Sequence, residues 1–280
     1  MNFGFCIYTT DYSISPAEVA RGAEDRGFET LLFSEHTHIP SSRASINPLY
    51  GKDIPREYLH NYDPFVAMGA AAAVTKKIKL GTGICLVGER DPIILAKEVA
   101  TVDHMSNGRV LLGVGGGWNR EEMENHGTKW SLRWKVLRER IEAMKEIWTK
   151  EKATYHGEFV NFDEIWSWPK PVQKPHPPVL VGGDGERTFE RVLRYGDGWM
   201  PHPRFGGFYA DKIKRLNDMA SQRGKSPVPI TFFGAPSDPV QIEGFIRDGA
   251  SRILFWLPSG KTDEVLAEMD RVADVVKRFQ

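Results

Sequence analysis

The sequence predicts a (β/α)8 barrel of the TIM type, on three observations. Eight short apolar runs alternate with eight amphipathic or Ala-rich stretches. Successive runs are spaced by about thirty residues, the length of a strand–helix–strand unit. No G-x-G-x-x-G fingerprint follows the first run, which counts against a dinucleotide-binding doubly wound sheet. Alternation this regular argues for a parallel sheet, and eight units argue for its closure into a barrel. The sixth run is short, and an open sheet is the alternative. All 280 residues are expected to form one domain.

Phe3 to Tyr8 reads as the first strand. Ser15 stands where an N-cap belongs, Pro16 starts a helix running to Arg26, and Gly27 closes it. Glu29 to Ser34 is the second strand. The segment from Ile39 to Tyr62 carries Tyr50, Tyr58 and Tyr62. Loops this long are functional or disordered, and its aromatic content and position favour a lid over the site. Asp63 caps the helix Pro64 to Val74, and Ile78 to Ile84 is the third strand. Asp91-Pro92 opens a helix through Leu95, Val99 and Val102 that ends near Asn107-Gly108.

Gly108 to Glu122, GRVLLGVGGGWNREE, is the stretch around which the chain is organised. Arg109 to Val114 is a buried strand that stops at Gly115, Gly116 and Gly117. Trp118 and a polar run follow and are expected to open a long helix, periodic from about Ser131 to Lys150. Glycines at a strand end let backbone approach a flat or anionic ligand. A tight turn without a ligand is the plainer alternative.

Thr154 to Pro178 is rich in Trp and Pro and lacks apolar periodicity, so it reads as an irregular insertion packed on the surface. The rhythm resumes with strand Val179 to Val181, the turn Gly182-Gly183-Asp184-Gly185 and helix Glu186 to Tyr195. Strand Gly198 to Met200, helix Gly207 to Arg223 and strand Ile230 to Phe233 come next. Helix Asp238 to Asp248, strand Ile253 to Trp256 and helix Thr262 to Phe279 complete the chain.

Hydrophobic content of 41%, 26% charged residues and a formal net charge of +0 are ordinary for a globular protein. Nothing in that balance suggests nucleic acid or an anionic membrane surface. The N-terminus lacks a basic leader and cleavage site, and no apolar run is long enough to span a bilayer. Cys6 and Cys85 fall inside predicted strands and form no C-x-x-C motif. Buried thiols in a reducing, cytoplasmic compartment are expected.

In a barrel the C-terminal strand ends share one face, where the chemistry is found. Strand two ends Ser34-Glu35-His36-Thr37-His38, strand three Gly83-Ile84-Cys85, and strand four Gly115-Gly116-Gly117-Trp118 with Glu121 one turn on. Strand five contributes Gly182-Gly183-Asp184, strand six Trp199-Met200-Pro201-His202, and strand eight Leu257-Pro258-Ser259. An H-x-H at a strand end could bind a metal, as in amidohydrolase-type enzymes. Strands four, five and eight lack the further ligands such a site needs, so no metal is expected. Imidazole titrates near neutrality, and His36 is the better candidate for a proton donor or acceptor, with Glu121 second. The alternative is that both histidines are loop residues. Free N–H groups and Arg187 in a helix's first turn make a phosphate grip, against an Asp184 N-cap with Arg187 solvated. Trp118, Trp199 and His202 would shape a substrate pocket, together with the lid tyrosines.

Four stretches taken together resemble the bacterial luciferase-like monooxygenase superfamily, specifically its coenzyme F420 (deazaflavin)-dependent branch. They are SEHTHIP, KLGTGICLVGERDPIILAKEVATVDHMSNGRVLLGVGGGWNREEMENHG, KPVQKPHPPVLVGGDGERTFERV and GDGWMP. The resemblance runs through nearly the whole chain and is loosest in Ile39 to Tyr62 and after Phe205. It implies a barrel with the deazaflavin across its C-terminal face and His36 beside the reactive ring as proton donor. It also implies a non-proline cis peptide at Gly83-Ile84 against that ring, and phosphate contacts from Gly182 and Gly183. Ser34, Glu35, Gly115, Gly116, Trp118, Asp184 and Arg187 complete the candidate cofactor-binding set.

Sugar-phosphate dehydrogenases of the branch carry a catalytic Glu where Trp118 stands, so glucose 6-phosphate is not the expected substrate. FMN-dependent relatives hold their phosphate partly through an Arg in the loop after strand four. Here that loop is glycine, which favours F420. The expected activity is hydride transfer between F420 and a small organic substrate, and a homodimer is an open expectation. The alternatives are an FMN-dependent monooxygenase fed by a separate reductase, a flavin-binding protein without turnover and, third, a metal hydrolase.

Overall fold

The computed structural model describes residues 1–203 and 209–279. In chain order the strands are β1 (Asn2–Ile7), β2 (Thr30–Phe33), β3 (Lys79–Cys85), β4 (Val110–Val114), β5 (Ala153–His156), β6 (Asn161–Ile165), β7 (Val179–Gly182), β8 (Gly198–Met200), β9 (Thr231–Ala235) and β10 (Arg252–Trp256). The helices are α1 (Pro16–Asp25), α2 (Glu57–His60), α3 (Pro64–Val74), α4 (Pro92–Met105), α5 (Arg120–Asn125), α6 (Arg133–Thr149), α7 (Glu186–Tyr195), α8 (Tyr209–Gln222), α9 (Pro239–Arg247) and α10 (Thr262–Val276). The start predicted for the sixth helix, Gly207, lies outside the described residues.

Eight strands lie in the order β8-β7-β4-β3-β2-β1-β10-β9, every pair parallel. The seam between β8 and β9 is narrow. A parallel bridge joins Trp199 to Ile230, and Trp199 N–H donates to Pro229 O at 3.0 Å. Phe233 N–H donates to Pro201 O at 2.9 Å, so the sheet curls into the barrel the alternation predicts.

Alternation along each strand sorts the core into two layers. Cys6, Leu32, Leu111, Leu180, Met200 and Leu254 fill the interior, with Ile84, Phe233 and Trp256 packed on them. The outward residues, among them Phe5, Leu31, Val110, Val181, Trp199 and Phe232, pack under the helices. Cys6 and Cys85 are free and fully buried, and burial holds both thiols protonated.

Local signals account for the helix starts. Ser15 and Glu18 form a reciprocal capping box on α1. Asp63, Asp91 and Asp238 accept N–H groups at the starts of α3, α4 and α9, each with Pro at the first position. At the barrel floor Glu29 pairs with Arg252 at 2.8 Å and Lys79 at 2.8 Å. Among the described residues no helix is long and apolar enough to cross a membrane.

Two expectations need correction. The polar run after Trp118 does not open the long helix. It forms the six-residue α5, Gly127 turns the chain at φ +82°, and α6 starts separately at Arg133. The insertion before the fifth barrel strand is also not irregular throughout, since β5 and β6 pair as an antiparallel ribbon. Both strands are short and mostly exposed, so they lack the apolar alternation that marks a half-buried strand. The segment is docked on the barrel: Gln173 donates from N–H and Nε2 to the buried Asp103 at 3.0 and 2.7 Å.

Candidate active site

The C-terminal strand ends enclose two adjoining cavities of about 190 and 300 Å³. Ile84, Gly117, Trp118 and Phe233 line both. The first continues over Tyr8, Glu35, His36, Leu86 and the lid residues Asn47, Pro48, Leu49 and Tyr58. The second continues along Gly115, Gly116, Trp134, Gly182, Gly183, Asp184, Met200 and His202. The segment after β2 therefore covers the first cavity as a lid. Of its tyrosines only Tyr58 reaches the cavity; Tyr50 and Tyr62 are exposed.

His36 follows β2 on the cavity wall. Its Nδ1 lies 2.7 Å from Oε2 of Glu122, whose side chain is fully buried. Thr37 N–H donates to the other oxygen of Glu122 at 3.0 Å. On the far side of the ring, Trp118 Nε1–H donates to Nε2 at 3.3 Å. An indole N–H can only donate, so in this arrangement Nε2 carries the lone pair and Nδ1–H donates to Glu122. Tyr58 leans on the imidazole with ring centroids 5.2 Å apart. His38 turns away, accepting from Asn125 Nδ2 at 2.9 Å.

The Gly83–Ile84 peptide is cis and sits in the wall between the two cavities. Ser34 Oγ donates to Gly83 O at 3.1 Å, so Ser34 holds that wall from behind. Gly115 and Gly116 serve close packing. A Cβ at Gly115 would fall 2.3 Å from Ile84 Cδ1, and one at Gly116 would fall 2.7 Å from the Trp134 indole. Their smallness lets Ile84 and Trp134 lie flat against β4. Gly183 has φ +114° and its carbonyl accepts from Trp199 Nε1 at 2.7 Å. Asp184 is held by Lys212 at 3.0 Å, and Arg187 is exposed on the first turn of α7.

Glu35 stands at the cavity edge with its carboxylate committed elsewhere. It accepts from Leu86 N–H and from Arg90 Nε, each at 2.5 Å. Burial opposes the charge on Arg90, but Glu35 and Asp63 hold it protonated. Neighbouring Glu89 has a buried side chain, and burial together with Glu122 and Glu35 pushes its carboxyl up to about 9.

Four predicted residues line neither cavity: Ser34, which backs the wall, Arg187, which faces a separate opening beside α7, and Glu121 and Trp199. Glu121, the second catalytic candidate, accepts from Ala44 N–H at 2.7 Å and Ser45 N–H at 3.2 Å. With the Ser45 hydroxyl these donors hold it at about 2, as an anchor for the lid segment. Its neighbour Glu122 points inward instead, because consecutive helical residues face different ways. Trp199 is fully buried and points outward under α7 against Phe189; Met200, next on β8, lines the cavity.

Glu122, Tyr8, Tyr58, Met200 and Phe233 thus join the site, and of these only Tyr58 is among the lid tyrosines named from sequence. The signals for the others are local. Glu122 follows Trp118 by four positions across the start of α5, one helical turn, and both touch His36. Tyr8 follows the inward Cys6 by two, and Phe233 alternates with the outward Phe232.

A parallel barrel whose C-terminal strand ends enclose a mostly apolar cavity beside a histidine–carboxylate pair has the layout of the barrel enzymes, which place their chemistry at that face. A sequence model of the family described as luciferase-like monooxygenase matches residues 13–236, and the chain belongs to that family. It is 42% identical over 277 residues to an uncharacterized protein of Mycobacterium tuberculosis, covering 98% of each chain. It is 30% identical over 190 residues to an FMNH(2)-dependent dimethylsulfone monooxygenase of Pseudomonas putida, covering 67% of this chain and 47% of that one. Among solved structures, monooxygenase RslO1 from Streptomyces bottropensis superposes with a TM-score of 0.78 at 21% identity. An F420-dependent secondary alcohol dehydrogenase in complex with an F420-acetone adduct gives 0.77 at 18% identity. Each of these two alignments covers 100% of this chain and 99% of the other, and shows a shared fold.

Proposed function

We propose that this luciferase-like oxidoreductase transfers a hydride between coenzyme F420 and a small organic substrate, with His36 giving or taking the accompanying proton. The observation that carries this is the His36–Glu122 pair opening on a cavity whose back wall is Gly83–Ile84. The residues fit a planar deazaflavin with an anionic tail. Ile84, Leu86, Met200 and Phe233 offer an apolar surface to a ring. The Gly182–Gly183 backbone in the second cavity would take the charged tail, with Arg187 just outside on the first turn of α7. Bound F420 would supply a two-electron carrier at its C5 position.

The chain's own groups do the rest. Nε2 of His36 exchanges the proton at the cavity edge, giving up its 3.3 Å contact with Trp118 when it takes one. Glu122 holds Nδ1–H and stabilises the imidazolium that forms. Tyr8, Tyr58 and the lid residues Pro48 and Leu49 exclude water from the first cavity, and Trp118 and His202 bound the space for substrate. One barrel domain carries the whole site in this reading, and the protein acts on a small molecule as a homodimer.

A second reading is favoured by the similarity to the FMNH(2)-dependent monooxygenase. Here the cofactor would be FMN, the co-substrate O2, and a separate reductase the partner. The glycines at positions 115–117 supply no side chain to hold an FMN phosphate, which supports the F420 reading. Titrating the protein with F420 and with FMN, following each cofactor's fluorescence, tests the two. Micromolar binding of F420 with FMN at least tenfold weaker is expected. Tighter FMN, with substrate-dependent O2 uptake on adding reductase, would transfer the assignment to the second reading.

A further inference from the structure

Between α6 and α7, outside the barrel, lies an open cavity of about 500 Å³ lined by Arg138, Arg187, Arg191, Arg194, Arg223 and Trp134, among others. Three of these arginines are neutralised. Arg138 pairs with Glu139 at 3.2 Å, Arg194 with Glu142 at 3.0 Å, and Arg223 with Glu190 at 2.7 Å. Arg187 and Arg191 have no carboxylate partner among the described residues. Arg191 stacks over the Trp134 ring, its guanidinium carbon 3.5 Å from the centroid, and Arg133 approaches the same ring at 5.5 Å.

A second observation is independent of charge. Tyr195 lines the cavity, is 3% exposed, and its hydroxyl has no hydrogen-bond partner among the described residues. A buried hydroxyl without a partner has lost its water and gained nothing in return, and a ligand oxygen would satisfy it. Burial lowers the pKa of Arg191, and the nearby Arg133 and Arg187 lower it further. Finally, Trp134 lines both this cavity and the one beside Gly182–Gly183, its indole edge resting on Gly116. The two spaces meet across that one side chain.

We propose that Arg187, Arg191 and Tyr195 form a binding site for an oligoanion, a phosphate or a short run of carboxylates carrying at least two negative charges. The site's existence is independent of which cofactor the barrel holds. Its connection over Trp134 rests on the reading that a cofactor ring occupies the barrel mouth. The anion is then either the charged end of that cofactor or a separate oligoanion.

Calorimetric titration of the full chain with tripolyphosphate tests the site without any cofactor. Saturable binding is expected, weakened at least tenfold in the double variant Arg187→Ala/Arg191→Ala and several-fold in Tyr195→Phe. Arg187→Ala alone, an exposed change that leaves the Trp134 stack intact, should weaken it about three- to tenfold, and thermal melting confirms that each variant is folded. Competition then separates the sources. If the site takes the cofactor's tail, tripolyphosphate displaces F420 but leaves the affinity of the tail-less deazaflavin unchanged. If it takes a separate anion, tripolyphosphate and F420 bind together. Failure of F420 to bind while tripolyphosphate still does would count against the proposed cofactor and leave this site standing. Absence of saturable tripolyphosphate binding, or equal affinity in wild type and the folded double variant, overturns the proposal.

Discussion

Nδ1 of His36 lies 2.7 Å from Oε2 of Glu122, across 86 residues of chain and with the carboxylate side chain fully buried. The pair fixes which ring nitrogen faces the cavity. It also gives His36 a counter-charge for its protonated state, which a solvent-facing loop histidine would lack.

Replacing His36 by Ala should lower kcat by roughly the 10²–10⁴-fold typical of a lost general acid or base. Cofactor affinity should change much less, because the ring-facing surface is backbone and apolar side chains. Steady-state kinetics against pH at saturating cofactor would show one limb of the profile disappearing. Full activity in this variant would remove His36 from the mechanism.

Glu122→Gln keeps the shape of the side chain and removes the charge that faces Nδ1. A hydrogen bond to a charged group contributes about 1.5–3 kcal/mol, so kcat should fall by roughly tenfold to a hundredfold. A purely structural role for Glu122 would lower thermal stability while leaving kcat of the folded variant within about threefold of wild type. Glu121→Gln should behave differently, loosening the lid segment at positions 44–45 with kcat changed by less than about threefold.

At the barrel floor, burial raises the pKa of Glu29, but Arg252 and Lys79 outweigh it and bring the carboxyl to about 2. A folded-state value below the ordinary 4.5 contributes stability that is present above pH 4.5 and lost as pH falls towards 2. Glu29→Gln should therefore lower stability at neutral pH by on the order of 2–3 kcal/mol. Urea unfolding at a series of pH values should show a shallower acid decline in the variant than in wild type.

Glu89 carries the opposite sign. With its carboxyl raised to about 9, the folded state holds a proton that the unfolded chain has released above pH 4.5. Stability is full below that pH and declines as pH rises through 9. Glu89→Gln should match wild type near pH 4 and melt at a higher temperature at pH 8. A lower melting temperature for the variant at pH 8 would contradict this.

The barrel was legible because its determinants are local. The capping residues Ser15, Asp63 and Asp91 mark helix starts, and the eight apolar runs fall where strands are found. The cis Gly83–Ile84 peptide followed from the resemblance of whole motifs, and the candidate site's place at the strand ends from the barrel itself. His36 stood out as a candidate because it lies three residues past the end of β2, at that face.

Contacts that depend on rotation about an element, or on distant segments meeting, were decided only by the tertiary structure. Glu121 and Glu122 are equivalent in sequence, and the angle at which α5 docks turns one towards the lid and the other towards His36. Trp199, expected in the pocket, faces outward and Met200 lines the cavity, because side chains on a strand point alternately to opposite faces and the short β8 gives too few residues to set that phase. The cavity between α6 and α7 brings Arg138 beside Arg187, Arg191 and Arg223 through helix packing alone. The sequence thus determined the fold and the strand ends that enclose the cavities, while packing selected which side chain at each end faces inward.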